Sequence, residues 1–395
     1  MVSQVQRLMF LVAAFYFLQT LVGNPGLHDQ ALRKFLKEAW LFTPLQMSAF
    51  FSILTIPWMI KPLYGFLSDF VPIFGYRRKS YFIFVASLAA GSYGLLSWLG
   101  ASTEIMRILL FNAAIGVAFS DVLCDAVMIE KGRPLNVIED LQSWQWASLF
   151  VASIIVSLSK GNIAEYFSLG QAFRLSMFAP LFMIPLVFFG FKETRVSSSA
   201  ESAKNAWRSF REALRSKPLW AVAGFIFFFT LSPNLGEPFY YYEKDILKFS
   251  DPLIGYIDAV WAMFSAVGVL GASWAIKHLT HDRMLKAIII TGVTGGLLYL
   301  FFLGVVSAFV VSAANGLITG ITLLGTLTLA AKVCPRHIEG LVFAFLMSVN
   351  NFGSRIGSMS GSMLYEHVGY SWLVVISAAF TACMWFFLPL VRQKN

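Results

Sequence analysis

Uniformly apolar runs of about 20 residues, the length that a helix needs to cross a bilayer, recur along the whole chain. The strands of a membrane barrel would instead alternate apolar and polar residues over about ten positions. We therefore predict an all-α membrane protein with twelve transmembrane helices. The predicted spans are residues 5–27, 43–66, 80–100, 105–129, 140–162, 172–191, 218–242, 252–276, 285–305, 308–332, 338–363 and 371–391.

Charged residues are scarce and unevenly distributed. They make up 13% of the 395 residues, about half of the roughly 25% found in soluble domains. An even number of spans puts both termini on one side, and 20 of the 30 Lys and Arg residues fall on that side against eight on the other. By the positive-inside rule, both termini are expected in the cytoplasm. This bias explains the net charge of +9 without a nucleic-acid partner, and we expect a multi-pass protein of the plasma (inner) membrane.

The longest polar stretch, residues 193–217, divides the chain into two parts with six predicted spans each. We therefore expect an N-terminal six-helix bundle at residues 1–192, a cytoplasmic linker, and a C-terminal six-helix bundle at residues 218–395. Trp207 and Phe210 alternate with arginines at helical spacing, which is typical of a helix lying on the inner leaflet. A solvated basic linker is the alternative interpretation.

A distinctive loop motif joins predicted spans two and three. Its members are Gly65, Asp69, Gly75, Arg77, Arg78 and Lys79, in the order of the loop signature of the major facilitator superfamily. The glycines permit close helix approach and a reversing loop. Asp69, at a helix end, can accept hydrogen bonds from the N-terminus of an opposing helix, and the arginines can pair with acids on span four. We predict that these contacts form a conformational latch.

The wider sequence around this loop resembles the folate–biopterin transporter family of that superfamily. The matching segments are Pro57-Trp58, Lys61 to Gly65, Ser68-Asp69, Pro72 to Arg78, SDVLCDAVMIEKGR at 120–133 and LQSWQW at 141–146. The second half of the chain matches mainly in hydropathy. The resemblance implies a major facilitator fold, transport by alternating access, and a pterin-type substrate.

Ionisable residues inside predicted spans are costly in the membrane, so each is a candidate for function. Asp121 and Asp125 are four residues apart on span four and share a helix face, with Glu130 at the membrane edge. Two such carboxylates repel each other, and we expect one of them to bind and release a coupling proton. Alternatively, Asp125 and Glu130 pair with arginines as part of the latch. Lys61 is expected in gating or substrate binding, with snorkelling as the alternative, and Gln19 as a hydrogen-bonding residue of the cavity.

The second half contains its own intramembrane polar residues. Pro233, Gly236 and Pro238 interrupt span seven, and broken helices are tolerated where they line a cavity or are buried in protein. Arg355 on span eleven needs an acidic partner or an anionic ligand. The candidate substrate-binding residues here are Asn234, Glu237, Asp258, Asn351 and Arg355. The alternative is an ion pair of Arg355 with Glu237 or Asp258 that only closes a gate.

These residues favour a proton-linked symporter for folates or pterins, operating as a monomer in the lipid bilayer. Carboxylates suit the ring N–H groups of a pterin, and an arginine suits the carboxylates of a folate. A carrier for another flat zwitterion, such as S-adenosylmethionine, is the alternative. A non-transporting sensor would need a soluble signalling domain, and an enzyme would need a catalytic motif; the sequence supplies neither. We expect no cofactor and no metal.

Overall fold

The described part of the chain is helical. The computed structural model describes residues 2–23, 25–99, 102–190, 192–195, 200–276, 280–335 and 339–391. Its α-helices are α1 Val2–Leu21, α2 Asp29–Glu38, α3 Pro44–Met59, α4 Lys61–Phe70, α5 Lys79–Trp98, α6 Thr103–Gly132, α7 Ile138–Tyr166, α8 Leu169–Gly190, α9 Ala200–Ala213, α10 Lys217–Thr230, α11 Gly236–Tyr241, α12 Asp251–Ile276, α13 His281–Leu298, α14 Val305–Lys332, α15 Glu339–Cys383 and α16 Leu388–Val391.

Within these described ranges, nine helical segments are long and apolar enough to cross a membrane. One of them, Gly340–Phe387, has 48 residues and would extend about 72 Å if straight, against about 30 Å of hydrocarbon. It bends at Gly369, where φ is 75° and ψ is −178°, so two helices meet there. This segment covers predicted spans eleven and twelve. The chain is thus an integral multi-pass membrane protein, while the count of twelve and the orientation of the termini stay predictions.

Contacts divide the chain into two compact units. The first contains residues 1–35 and 56–206, and the second contains residues 36–55 and 207–395. The segment 36–55 is held in the second unit by polar contacts. Lys37 Nζ lies 2.6 Å from Asp245 Oδ1, and the Leu45 amide donates to the Glu366 carboxylate at 3.0 Å. Predicted span two therefore begins in one unit and ends in the other, at α3 and α4.

The core of the first unit surrounds α6. Phe15, Phe119 and Leu123 are buried there, and the Tyr64 and Phe119 rings stack with centroids 4.6 Å apart. Burial of such apolar area is worth roughly 25 cal/mol per Å² relative to water, but within lipid the gain comes from close packing of side chains instead. The packing fixes the face of α6 that carries Asp121.

In the second unit, the predicted interruption of span seven is present. Helix α10 ends at Thr230 and α11 begins at Gly236. Three glycines of α15, spaced four residues apart, lie directly against this break. A Cβ added at Gly357 would come within 2.5 Å of the Ser232 carbonyl oxygen, and one at Gly361 within 2.0 Å of the Asn234 carbonyl oxygen. The glycines thus allow the irregular backbone to be buried against protein, which keeps its polar groups out of the lipid hydrocarbon.

The polar stretch that divides the chain contains helix α9, whereas residues 196–199 lie outside the described ranges. Phe210 of α9 is buried in the second unit among residues such as Leu219 and Ile288. Trp207, one turn earlier, is 53% exposed. The helix expected from the amphipathic spacing is therefore present, and its apolar face is divided between protein packing and an exposed indole.

Substituting Gly361 tests the close contact at the break. We expect Gly361→Ala to lower the thermal stability, because its methyl group would overlap the Asn234 carbonyl; overpacking of this kind costs about 1–3 kcal/mol. Thermal unfolding in detergent, followed by tryptophan fluorescence, measures the effect. Gly340→Ala is the matched control, since a Cβ at Gly340 meets nothing within 4 Å. Equal melting temperatures for both variants would contradict the contact.

Candidate functional site

An ion pair inside the first unit joins two of the residues singled out by sequence. The Lys61 ammonium lies 2.5 Å from Asp121 Oδ2, and the two side chains are only 16% and 15% exposed. The two residues are 60 positions apart on α4 and α6. An isolated charge at this depth would be costly, so each member of the pair makes the burial of the other tolerable.

Lys61 is placed by a break in predicted span two. Helix α3 contains Pro57 and ends at Met59, and α4 begins with Lys61 followed by Pro62. A cation at a helix N-terminus opposes the helix dipole. Asp121 offsets this, and the Trp58 ring adds a cation–π contact with its centroid 4.6 Å from Nζ. Because Lys61 lies at the positive end of the α4 dipole, its charge needs an anionic partner.

Three further side chains hold the two carboxylates of α6. Gln19 Nε2 donates to Asp121 Oδ1 at 2.9 Å, while Gln19 Oε1 is buried with no hydrogen-bond partner among the described residues. The Tyr16 hydroxyl donates to Asp125 Oδ1 at 2.5 Å, and Gln145 Nε2 lies 3.4 Å from the same oxygen. The sequence did not indicate that Tyr16 and Gln145 donate hydrogen bonds to Asp125. Residues on three helices, α1, α4 and α7, therefore converge on the two carboxylates of α6.

The second unit contains a looser pair. Arg355 Nη1 lies 4.0 Å from Glu237 Oε1, and the two side chains are 16% and 5% exposed. Asn234, in the break before α11, donates from Nδ2 to the Ser354 carbonyl at 3.3 Å. The geometry therefore includes the Arg355–Glu237 ion pair expected from sequence. Asp258 on α12 and Asn351 on α15 are half-buried, and Asp258 is close enough to Tyr299 to interact with it electrostatically.

Arg78 is the centre of the predicted latch. Its guanidinium donates to Ser68 Oγ at 2.6 Å and to Glu130 Oε1 at 2.6 Å, and it also pairs with Asp69. Burial opposes its charge, but Asp69 and Glu130 raise the pKa of Arg78 above its usual value. Glu130 thus lies with the latch, as the alternative interpretation expected, rather than beside Asp121 and Asp125.

The N-terminus of α5 is capped by a residue that sequence analysis did not select. Glu193 Oε1 accepts from the backbone N–H groups of Arg77 and Arg78 at 2.8 and 3.0 Å, and Oε2 accepts from that of Lys79 at 2.8 Å. A carboxylate there satisfies unpaired helical donors and complements the dipole. Asp69 was expected to accept from a helix N-terminus, but its contact is with the Arg78 side chain.

The two latch glycines differ in their roles. Gly75 has φ of +82°, which glycine adopts without strain, so the reversing loop is present. A Cβ at Gly65 would only reach ordinary van der Waals contact, 3.7 Å from Val122, so the expected close helix approach is not required there. The side chain of Arg77 was expected to pair with an acid; its Nε is buried without a hydrogen-bond partner among the described residues.

Comparison with solved structures identifies the fold. The nucleoside transporter NupG matches with a TM-score of 0.73 and 13% identity, over 99% of this chain and 100% of that one. A D-xylose-proton symporter matches with a TM-score of 0.72 and 12% identity, over 98% of this chain and 97% of that one. The fold is therefore a major facilitator fold, as the loop motif predicted.

The BT1 family model matches residues 23–388, and the chain belongs to the BT1 family. It is 29% identical to the folate-biopterin transporter of Synechocystis, over 91% of this chain and 74% of that protein. It is 25% identical to folate transporter 1 of Plasmodium falciparum, over 83% of this chain and 67% of that protein. The resemblance stated from the first half is thereby confirmed, and it extends through the second half.

Replacing Arg78 tests the latch geometry. We expect Arg78→Lys to lower the free energy of unfolding, because one ammonium cannot reproduce the fork that joins Ser68, Asp69 and Glu130. Water screens the two partly exposed carboxylates, so the expected loss is only about 1–2 kcal/mol. Thermal unfolding in detergent measures the loss. Arg77→Lys is the matched control, since the contact of Arg77 with Glu193 runs through its backbone. A similar loss in both variants would argue against the fork.

Proposed function

We propose that this protein is a proton-coupled symporter for folates or pterins that works by alternating access. The observation that carries the proposal is the buried ion pair of Lys61 with Asp121, which has a second carboxylate, Asp125, one turn away on the same helix face. The substrates named for the Synechocystis and Plasmodium relatives support the choice of folates and pterins. We further propose a monomer in the plasma (inner) membrane, with both termini cytoplasmic.

Coupling follows from the charge balance of the pair. While Asp121 is ionised, it occupies Lys61 at 2.5 Å. Protonation of Asp121 removes that anion and leaves Lys61 at a helix N-terminus with an uncompensated charge. A carboxylate of a folate, or the ring carbonyl oxygen of a pterin, then accepts from the ammonium in place of Asp121. Proton and substrate therefore bind together, which is the requirement for symport.

The Gln19 amide suits both protonation states of Asp121. In the ionised state its Nε2 donates to Oδ1. A protonated Asp121 becomes a donor itself, and a rotated Gln19 amide offers Oε1, which has no hydrogen-bond partner in the described residues. The second carboxylate, Asp125, accepts from Tyr16 and Gln145. We assign the coupling role to Asp121 and Asp125 rather than to Glu130.

In the second unit, Arg355 and Glu237 are proposed to contact the substrate. Their 4.0 Å separation is longer than that of a direct charge-assisted hydrogen bond. Such a pair can open for a ligand at lower cost than a tight one. Asn234 and Asn351 offer amide groups, and Asp258 offers a further carboxylate for ring N–H groups.

Uptake by the purified protein in proteoliposomes tests the function. An inward proton gradient of one pH unit should drive up to about tenfold accumulation of labelled folate or biopterin when one proton moves with each substrate. Labelled S-adenosylmethionine tests the alternative substrate in the same assay. Accumulation of S-adenosylmethionine alone would replace the substrate assignment, and no accumulation of any compound would sink the symport proposal.

Replacing Asp121 separates coupling from transport. We expect Asp121→Asn to lose gradient-driven accumulation, because an amide cannot take up the proton, while exchange of labelled for unlabelled substrate continues. The ratio of accumulation to exchange is the measurement. Asp140→Asn is the matched control, since Asp140 is exposed at the start of α7. Accumulation by Asp121→Asn at the level of the unsubstituted protein would exclude Asp121 as the coupling site.

A further inference from the structure

A groove runs along the outside of the first unit, between α5 and α8. It has a volume of about 580 Å³, and its lining includes Ala90, Gly91, Gly94, Trp98, Met177 and Leu181. The ion pair of Lys61 with Asp121 lies elsewhere in the unit, on α4 and α6. A groove of this volume is within the roughly 300–1,000 Å³ range of small-molecule sites.

Small residues create the groove, and larger ones form its walls. A Cβ added at Gly91 would meet no atom within 4 Å, so the space beside it is open. At Gly94 the wall is closer, with Met177 Sδ 3.2 Å from an added Cβ. On α8, Met177, Leu181 and Ile184 follow one another at helical spacing along the opposite wall. The surface offered is a continuous apolar channel along the helix axes.

The length of the groove corresponds to one membrane leaflet. Its lining on α5 extends from Ser87 to Trp98, which is about 16 Å of helix. Half of a hydrocarbon core of about 30 Å is about 15 Å. Trp98 is the last residue of α5 and is 82% exposed, and tryptophan at a helix end is typical of the membrane interface. The groove thus extends from the interface toward the middle of the bilayer.

A cation lies at the interfacial end of this groove. Arg174 of α8 is one turn before Met177, and its guanidinium is 5.8 Å from the centroid of the Trp98 ring. It is exposed, and no carboxylate of a described residue pairs with it. An arginine that faces the interface beside an apolar channel is the charge arrangement that recognises an anionic lipid headgroup.

We propose that this groove binds an anionic phospholipid, with one acyl chain along Gly91 and Gly94 and the phosphate on Arg174. The apolar walls complement the chain, the leaflet-length channel sets its depth, and the guanidinium selects the headgroup. The bound lipid fills the space between α5 and α8 and supports their packing.

Native mass spectrometry of the detergent-purified chain, titrated with phosphatidylglycerol or phosphatidylcholine, tests the proposal. We expect the unsubstituted protein to bind phosphatidylglycerol about fivefold more tightly, the contribution typical of one Lys or Arg near an anionic surface. Arg174→Gln should make the affinities for the two lipids equal, while both lipids still bind through their acyl chains. Gly91→Leu should weaken both, because its side chain occupies the channel without meeting another atom at Cβ.

Gly271→Leu is the matched control, since Gly271 is also exposed with nothing within 4 Å of an added Cβ but lies on α12, outside the groove. Its lipid binding should equal that of the unsubstituted protein. Unchanged binding in Gly91→Leu would overturn the site, and an unchanged preference in Arg174→Gln would overturn the headgroup assignment. A dimer that Gly91→Leu dissociates would show that a second copy of the chain, and not a lipid, covers the groove.

Discussion

The ion pair of Lys61 with Asp121 imposes the main constraint on the first unit. Two charges withdrawn from water are tolerable only while they face each other, and removal of one partner from such a buried pair typically costs about 3–5 kcal/mol. The break in predicted span two puts the ammonium at the start of α4, where the helix dipole adds to the demand for an anion. The packing of α6 then places Asp121 Oδ2 at 2.5 Å from Lys61 Nζ. Each of the two charges therefore depends on the other for its place in the fold.

The sequence could predict that polar side chains lie within apolar helices, but not which of these side chains meet. Asp121, Lys61 and Gln19 are recognisable as polar residues within apolar runs, because burial of such groups is costly and therefore rare. Their pairing depends on the rotation of α1, α4 and α6 about their axes, which hydropathy does not specify. Tyr16 was missed because tyrosine is common in apolar helices, and nothing local shows that its hydroxyl is 2.5 Å from Asp125. Gln145 lay within a recognised segment, but its partner is 20 residues away.

The latch illustrates the same limit in a loop. Gly75 was predictable because a reversing loop with φ of +82° has a strong residue preference. The cap on α5 was not, since Glu193 is 114 to 116 residues from the amides that it accepts. In the sequence it belongs to a polar stretch that reads as a linker. Its carboxylate ties the beginning of that stretch to the start of α5, so the first polar residues after α8 take part in the fold of the first unit.

The second unit buries its polar groups within the membrane in a different way. There the irregular backbone between α10 and α11 is the costly element, and the glycines of α15 allow protein to cover it at contact distance. The same helix carries Arg355. Because Gly357 and Gly361 fix α15 against Asn234, the position of Arg355 relative to Glu237 is set by backbone packing and not by the strength of their 4.0 Å ion pair. The two units therefore hold their buried charges in different ways, by a tight ion pair in the first and by backbone packing around a longer pair in the second.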